Sequence, residues 1–467
     1  MENLKVIVLA SMLTLSISGI NSVKSQECSA IFDTELSSNP KRRAVSNPQL
    51  PESYAAVTVD VLIVYTPAAK QWTMQNGYNI DNLIDSAIQR SNLVFSNSQT
   101  GVTLRLAHKQ EIDYAESNSL NDDLYKLRDS QDGKADEVHA LRTQYNADLV
   151  VLLVGEVSVN NVLGAGYIPN DEWGNSKSGF SVSRVKTLPD GFTFPHELGH
   201  NFGCGHHTDV DYNALYNYAH GHRGITNQSN KFSTIMTYET TTGIYYPHVP
   251  YFSDPNIEFE GVKVGTADAN NAKAIRQFKS VVTNYSEEAK YIDAFLKAIN
   301  VSEGSLSPVF NAGVYNYTVD VPNSIEYIDI EGITNSSYAQ VLSGNQTAMP
   351  LNIGDNVVEI FVKDGWENYN KKYTLNIIRA ASTATGIDKI DSDLIRIYPN
   401  PIVDELKIDN ENLNIKSVQI TDISNKIIYN VQNSNLNSIN VSHLPCGIYI
   451  LKIETNKNVI TKKFVKN

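Results

Sequence analysis

Three histidines and a glutamate near the middle of the chain have the residue types and spacing of a catalytic metal site. His196 and His200 are four residues apart, so on an α-helix both imidazoles project from one face and can bind the same ion. Glu197 follows the first histidine and can reach a water on that ion without ligating it. Gly203 permits the chain to leave the helix in a backbone conformation that is costly for other residues. We expect the resulting reversal to bring His206 to the ion as the third ligand.

Three nitrogen ligands predict one catalytic zinc ion. Structural zinc fills all four positions with protein ligands, whereas catalytic zinc leaves one position for water. The alternative interpretation is a helix that carries histidines on its surface and binds no metal. The complete pattern of five residues rarely arises by chance, so it favours zinc.

The elements that must position these residues have an α/β pattern. Residues 57–65 and 148–154 have the continuous apolar composition of buried strands, and residues 102–106 alternate as a strand. Apolar residues at helical spacing predict a helix over 80–93, and residues 180–185 are typical of a shorter edge strand. Strands that alternate with helices predict a mixed sheet.

Other segments set the predicted organisation of the chain. Lys5 and the apolar run 6–20 are typical of a cleaved export signal, and the run is too short to span a bilayer. The basic run 41–43 is a candidate processing point, with a solvated N-terminal arm as the alternative. Residues 301–379 alternate in the short segments of an all-β sandwich. We therefore predict an export signal (1–25), a pro-segment or linker (26–52), a catalytic domain (53–286), a β-sandwich (287–380), a linker (381–393) and a second all-β domain (394–467).

Composition narrows the possible partners. The 467 residues carry a formal net charge of −13, which argues against a nucleic-acid partner because no basic run suited to phosphates is evident. No second apolar stretch follows the export signal, so no membrane span is expected. Three cysteines in a chain of this length argue against a disulfide framework.

The pattern from His196 to His206, followed by a turn at Met236, resembles the metzincin metalloendopeptidases. The segments 218–223 and 251–255 resemble the bacterial reprolysin-like branch. The resemblance covers the predicted catalytic domain and implies an α/β fold with a mixed sheet and the zinc on the active-site helix. It also implies that Met236 forms an apolar floor beneath the zinc without binding it.

The same resemblance gives expectations for the surroundings of the zinc. Tyr238 is similar to the tyrosine that some other metzincins use as an extra zinc ligand or transition-state donor, with ordinary packing as the alternative. The chain departs from the reprolysin pattern at His207, where aspartate is usual, and we expect His207 at the rim. An extended peptide would pair with an edge strand at 164–168. Residues 240–252 would wall an apolar pocket for the side chain after the cut bond.

Two further resemblances concern the β modules. The segments 306–310, 315–319 and 373–379 resemble a cadherin-like β-sandwich. The segments 397–401 and 444–453 resemble the C-terminal sorting domain of type IX secretion substrates. This second resemblance implies the type IX machinery as a partner and a secreted or cell-surface location.

Together these observations predict a secreted zinc-dependent endopeptidase that acts on proteins or peptides, with Glu197 as the general base. The alternative is a surface adhesin or binding protein on an inactive metzincin scaffold. The glutamate argues against the alternative, because a zinc scaffold alone needs no base there. Two interpretations of Cys28 remain open. It is either a zinc ligand that keeps the enzyme latent, or an inert thiol or part of a pairing that the sequence does not assign.

Overall fold

The structure, a computed structural model, describes residues 27–32, 51–155, 162–366, 370–381, 395–409, 415–423, 426–432, 436–455 and 459–467. The predicted export signal, the basic run 41–43 and the predicted linker beyond residue 381 lie outside the described residues. The chain divides into two compact units, Met1–Ala381 and Ser382–Asn467. None of the helices in the described ranges has the length and apolar character needed to cross a bilayer.

A six-stranded sheet forms the centre of the first unit. Its strands are β1 (Glu27–Phe32), β2 (Val57–Tyr65), β3 (Val102–Glu111), β4 (Leu149–Val154), β5 (Val162–Ile168) and β6 (Phe180–Arg184). They lie in the order β1-β5-β6-β4-β2-β3. All neighbouring pairs are parallel except β5 and β6, which are antiparallel. The predicted mixed sheet is therefore confirmed, but the predicted edge strand at 180–185 is wrong, because β6 pairs with both β4 and β5 inside the sheet.

Helices cover both faces of this sheet, and the sequence of β2 shows why. Val61 and Ile63 belong to one hydrophobic core, and Leu62 and Val64 belong to another, because successive side chains of a strand point to opposite faces. A strand that is buried on both faces has a continuous apolar run. The helices are α1 (Pro67–Gln75), α2 (Ile80–Asn97), α3 (Leu120–Arg128), α4 (Glu137–Gln144), α5 (Thr193–Asn201), α6 (Asn271–Val282) and α7 (Tyr285–Tyr291).

Between α5 and α6 the chain forms short antiparallel strand pairs in place of long elements. These are β7 (Arg223–Ile225) with β8 (Lys231–Ser233), β9 (Thr240–Thr241) with β10 (Ile244–Tyr245), and β11 (Glu258–Phe259) with β12 (Val262–Lys263). This irregular segment contains the methionine turn, and it lies close to α5 because Met236 and Phe252 share a core with Leu198.

The remainder of the first unit is a β-sandwich. Its strands are β13 (Leu296–Val301), β14 (Leu306–Ser307), β15 (Asn316–Val321), β16 (Tyr327–Thr334), β17 (Gln340–Ser343), β18 (Gln346–Pro350), β19 (Gly354–Lys363) and β20 (Asn370–Arg379). One sheet has the order β13-β16-β18 and the other β14-β15-β20-β19-β17. Side chains in β19 alternate between buried and exposed, as the sequence pattern predicts for a strand with one face in a core.

The second unit is also built from strands. They are β21 (Arg396–Tyr398), β22 (Glu405–Asp409), β23 (Ile415–Asp422), β24 (Ile427–Gln432), β25 (Ser438–Asn440), β26 (Gly447–Thr455) and β27 (Val459–Lys466). A three-stranded and a four-stranded sheet enclose a separate hydrophobic core. The fold class, an α/β domain followed by two all-β modules, is confirmed.

Buried polar contacts join the β-sandwich to the α/β domain. The Lys371 ammonium lies 3.1 Å from the Asp136 carboxylate and 2.8 Å from the Tyr315 hydroxyl. The side chains of Lys371 and Asp136 are 8% and 1% exposed. Nearby, the Tyr291 ring stacks on Tyr338 with 3.8 Å between centroids. The two modules therefore share an interior polar cluster in addition to surface contacts.

We predict that Lys371→Ala lowers the free energy of unfolding of the first unit by roughly 3–5 kcal/mol, because it leaves the Asp136 carboxylate buried without its cation. The neighbouring Lys372 forms an exposed pair with Glu359 at 2.7 Å. Lys372→Ala is therefore the matched control, with an expected change within about 1 kcal/mol. Urea unfolding of the purified chain measures both, and equal small losses would show that the buried pair does not stabilise the junction.

Candidate metal centre

Helix α5 carries the histidine motif and is buried along almost its whole length. It begins at Thr193, with Phe192 at the cap position and no side-chain cap. Pro195 is the third helical residue, where its missing N–H costs no intrahelical hydrogen bond. The helix ends before Gly203, whose φ of +86° is the left-handed conformation predicted from sequence.

Two glycines in β5 permit α5 to pack closely against the sheet. A Cβ on Gly164 would lie 2.2 Å from Glu197 Oε1, and a Cβ on Gly166 would lie 2.8 Å from the Glu197 carbonyl oxygen. Asn201, which the sequence analysis did not single out, fixes the other end of the helix. Its amide nitrogen donates to the carbonyl groups of Tyr167, Ser178 and Phe180 at 2.9–3.1 Å.

The three predicted histidine ligands lie together. One ligand atom from each of His196, His200, His206 and Cys28 falls within 4.8 Å of the others. His196 Nδ1 is 2.7 Å from the carbonyl oxygen of Ile235, and His200 Nδ1 is 2.8 Å from that of Cys204. Because the carbonyl oxygens can only accept, these Nδ1 atoms carry the protons and the Nε2 lone pairs face the shared position.

Distances between the ligand atoms fit a zinc ion. Tetrahedral zinc with Zn–N of about 2.0–2.1 Å requires ligand nitrogens about 3.3–3.4 Å apart, and His206 Nε2 lies 3.2 Å from His196 Nε2. A thiolate at about 2.3 Å from the same ion would lie about 3.5–3.6 Å from a nitrogen ligand. Cys28 Sγ lies 3.5 Å from His200 Nε2.

Burial sets the protonation of these groups. It lowers the pKa of His196 well below its usual value, with a further contribution from the neighbouring imidazoles, and lowers the pKa of His200 to about 3. Both therefore stay neutral, which is the form that binds metal. Burial also raises the pKa of Glu197 well above the usual range of a carboxyl. A dication beside it would favour the ionised carboxylate again.

Asp211 is a second residue that the sequence analysis missed. His206 Nδ1 lies 2.8 Å from Asp211 Oδ2. Burial is the largest single influence and raises the pKa of Asp211, but the hydrogen bond and charge of His206, the Asn213 N–H and His200 together outweigh it, and the net shift is downward. The ionised carboxylate therefore orients the His206 ring and directs its Nε2 lone pair towards the other histidines. His207, by contrast, turns to Asp209 at 2.8 Å and lies partly exposed.

Met236 lies against the metal-binding helix. It is fully buried, and its sulfur is 2.5 Å from the point where a Cβ of residue 199 would stand. Gly199 lies between the two helical histidines, so the methionine packs against the helix immediately beneath them. This position is consistent with the predicted apolar floor.

The N-terminal strand β1 brings Cys28 to the same place. Cys28 pairs with Gly164 on β5, and its Sγ lies 3.0 and 3.2 Å from the two carboxyl oxygens of Glu197. Burial, and after it Glu197, raises the pKa of the Cys28 thiol well above its usual value, so without a metal the thiol is protonated and can donate to a carboxyl oxygen of Glu197. Tyr238 holds the backbone of Cys28: its hydroxyl donates to the carbonyl oxygen at 2.7 Å and accepts from the amide at 3.3 Å.

A cavity of about 580 Å³ opens beside Glu197 and Tyr238. Tyr245, Pro247 and His248 contribute to its lining, as expected for the predicted wall at 240–252. The expectation of an apolar pocket is wrong in part, because Lys186, Asp190 and Glu239 also line the cavity.

Comparison with known families identifies the three modules. Residues 82–207 match the M12B reprolysin-like metallopeptidase family, residues 296–380 match the cadherin-like beta sandwich domain, and residues 396–467 match the secretion system C-terminal sorting domain. With the α/β fold and the three-histidine cluster, the first match shows that this domain is similar to the reprolysin-like zinc metallopeptidases. The third match indicates export from the cell or to its surface.

Curated relatives share part of this chain. A peptidyl-Asp metalloendopeptidase of Stenotrophomonas maltophilia (strain R551-3) is 30% identical over 231 residues, which are 49% of this chain and 52% of the relative. A peptidyl-Asp metalloendopeptidase of Pseudomonas aeruginosa is 32% identical over 256 residues, which are 50% of this chain and 40% of the relative. The chain thus spans about half the length of these relatives. A chain in a solved chaperone–substrate complex is 18% identical to this chain, and the match covers 49% of this chain and 39% of the solved one. The TM-score of 0.37 is too low to support a structural argument.

We predict that Asp211→Ala lowers zinc affinity by about 10- to 100-fold, because it removes the acceptor that orients His206. Competition with a chromophoric chelator measures the affinity. Asp209→Ala is the control, since Asp209 contacts His207, Arg223 and Thr241. An equal loss in both variants would mean that the loop as a whole, not the bond to His206, supports the metal.

Proposed function

We propose that the protein is a secreted zinc endopeptidase in which His196, His200 and His206 hold the metal. The observation that carries the proposal is the position of Glu197, whose carboxyl group lies beside the shared position of the three imidazoles without being one of the predicted ligands. The adhesin alternative assigns no role to a buried carboxyl group at this place, although burying such a group is costly.

The chain's own groups account for proton transfer in this proposal. Zinc, when bound, supplies Lewis acidity that lowers the pKa of water and polarises a peptide carbonyl. Glu197 accepts the proton of the attacking water and delivers it to the leaving amine. Met236 supports the helix from below, and Tyr238 is a candidate hydrogen-bond donor to the developing oxyanion.

The substrate is proposed to be an extended peptide that adds to the edge of β5. The side chain after the cut bond would enter the cavity beside Glu197. The relatives are named for aspartate, and we propose that this chain also cuts next to aspartate. The cavity lining contains Lys186 together with Asp190 and Glu239, and a substrate carboxylate that entered it would be attracted by the lysine and repelled by the two carboxylates.

The protein is further proposed to be made in a latent form. β1 occupies the edge of β5 on which a substrate would pair, and Cys28 lies where the fourth zinc ligand would stand. Both obstacles belong to one segment at the N-terminal side of the catalytic domain. Removal of that segment, for example at the basic run 41–43, would expose the substrate edge and the metal together.

We predict that Glu197→Ala retains about one zinc ion but lowers the rate of casein cleavage at least about 100-fold, because the proton carrier is lost and no ligand is removed. The comparison is made in protein that lacks residues 1–50, so that neither Cys28 nor β1 covers the site. A peptide library in the same assay reports whether cuts fall next to aspartate. Undiminished cleavage by Glu197→Ala would refute the mechanism, and zinc binding without cleavage in either protein would favour the adhesin.

We also propose that residues 394–467 direct export and are removed within 381–393. Because the second unit has its own core, deletion of 394–467 is predicted to leave zinc binding intact but to retain the protein in the cell envelope. Immunoblotting of cell fractions measures this, with the exposed-thiol variant Cys446→Ser as an exported control. Normal export of the deletion would refute the sorting role, and an intact C-terminus on the secreted protein would refute removal.

A further inference from the structure

Tyr238 makes contacts that catalysis alone does not require. Its hydroxyl is bonded to both backbone groups of Cys28, at 2.7 Å to the carbonyl oxygen and 3.3 Å to the amide nitrogen. The N–H and C=O groups of one residue in a strand point to the same side. Cys28 therefore presents both groups to Tyr238, so Tyr238 holds this residue of β1 in addition to the pairing with β5.

The tyrosine is itself firmly held. Its ring packs on the His206 ring with 5.0 Å between centroids. Its carbonyl oxygen accepts hydrogen bonds from Arg223 Nε and Nη2 at 3.2 and 2.9 Å, and Arg223 Nη1 binds Asp209 at 2.6 Å. The hydroxyl is thus a fixed point beside the metal site, and the backbone of Cys28 is placed relative to it.

We propose that Tyr238 is the positioning residue of the latent state: its hydroxyl fixes the Cys28 backbone so that the thiol reaches the metal site. The inference deepens the latency part of the proposed function and rests on it. The same contact occupies the Tyr238 hydroxyl while β1 is bound. Departure of β1 therefore frees the metal position and the tyrosine in one event.

The hydroxyl and the ring can be separated by mutation. Tyr238→Phe keeps the ring against His206 but removes both hydrogen bonds to Cys28. Two hydrogen bonds of ordinary net strength correspond to roughly a 5- to 150-fold change in an equilibrium constant. We expect the fraction of molecules with an accessible Cys28 thiol to increase by about this factor in Tyr238→Phe, with no change in zinc content.

Thiol alkylation of the zinc-loaded full-length chain tests the inference. Cys446→Ser removes the exposed cysteine and leaves Cys28 and the fully buried Cys204. Mass spectrometry then follows the alkylation rate of each peptide in parent and Tyr238→Phe proteins. The expected result is faster alkylation at Cys28 only, and faster alkylation at Cys204 as well would indicate general loosening and overturn the positioning role.

Tyr245→Phe is the matched control, because Tyr245 lines the same cavity and its hydroxyl binds Glu239 at 3.2 Å, not Cys28. Its alkylation rate at Cys28 should equal that of the parent. An unchanged rate in Tyr238→Phe would also overturn the inference. Alkylation needs no proteolysis, so these outcomes are distinct from those of the casein assay. Persistent inactivity of protein that lacks residues 1–50 would count against the proposed function while leaving the alkylation result to decide the role of Tyr238.

Discussion

Three neutral imidazoles must meet at one buried point, and each must have its second ring nitrogen bonded to an acceptor. This constraint links parts of the chain that are distant in sequence. Helix α5 supplies His196 and His200, the methionine turn supplies the Ile235 carbonyl, and the loop after Gly203 supplies both His206 and its partner Asp211. If any of these acceptors moved, a ring would turn and its lone pair would leave the shared position.

Small residues in the sheet allow the histidine-bearing helix to lie close enough for the three imidazoles to meet. The glycines of β5 allow a helix bearing a glutamate to approach the strand at distances that a side chain would forbid. The same strand has its outer edge paired with β1. One strand therefore supports the histidine-bearing helix on its face and pairs with β1 at its edge, so the histidine cluster and the segment that carries Cys28 share a support.

The fold class and the zinc chemistry could be predicted from the sequence, because both depend on local periodicity. The continuous apolar run of β2 indicates burial on two faces, and the four-residue spacing of His196 and His200 indicates a shared helix face. The left-handed conformation of Gly203 follows from its residue type. The assigned roles of Glu197, Met236 and Tyr238 stay predictions. The roles of Asp211 and Asn201 could not be predicted from the sequence. The contact of Asp211 with His206 depends on the chain reversal after Gly203, and the contacts of Asn201 depend on how α5 packs on β5 and β6. The contact of Cys28 with Glu197 spans 169 positions, beyond the reach of any local pattern.

The covalent connection between β1 and the rest of the α/β domain determines whether β1 can rebind after it dissociates. A strand that is tethered to its own binding edge rebinds within the same molecule, so rebinding does not depend on how much protein is present. After one cut in the tether, the same strand is a free peptide whose occupancy falls with dilution. In a large volume the released peptide would be too dilute to bind the edge of β5 again. A single cut in the tether would therefore make dissociation of β1 irreversible in practice.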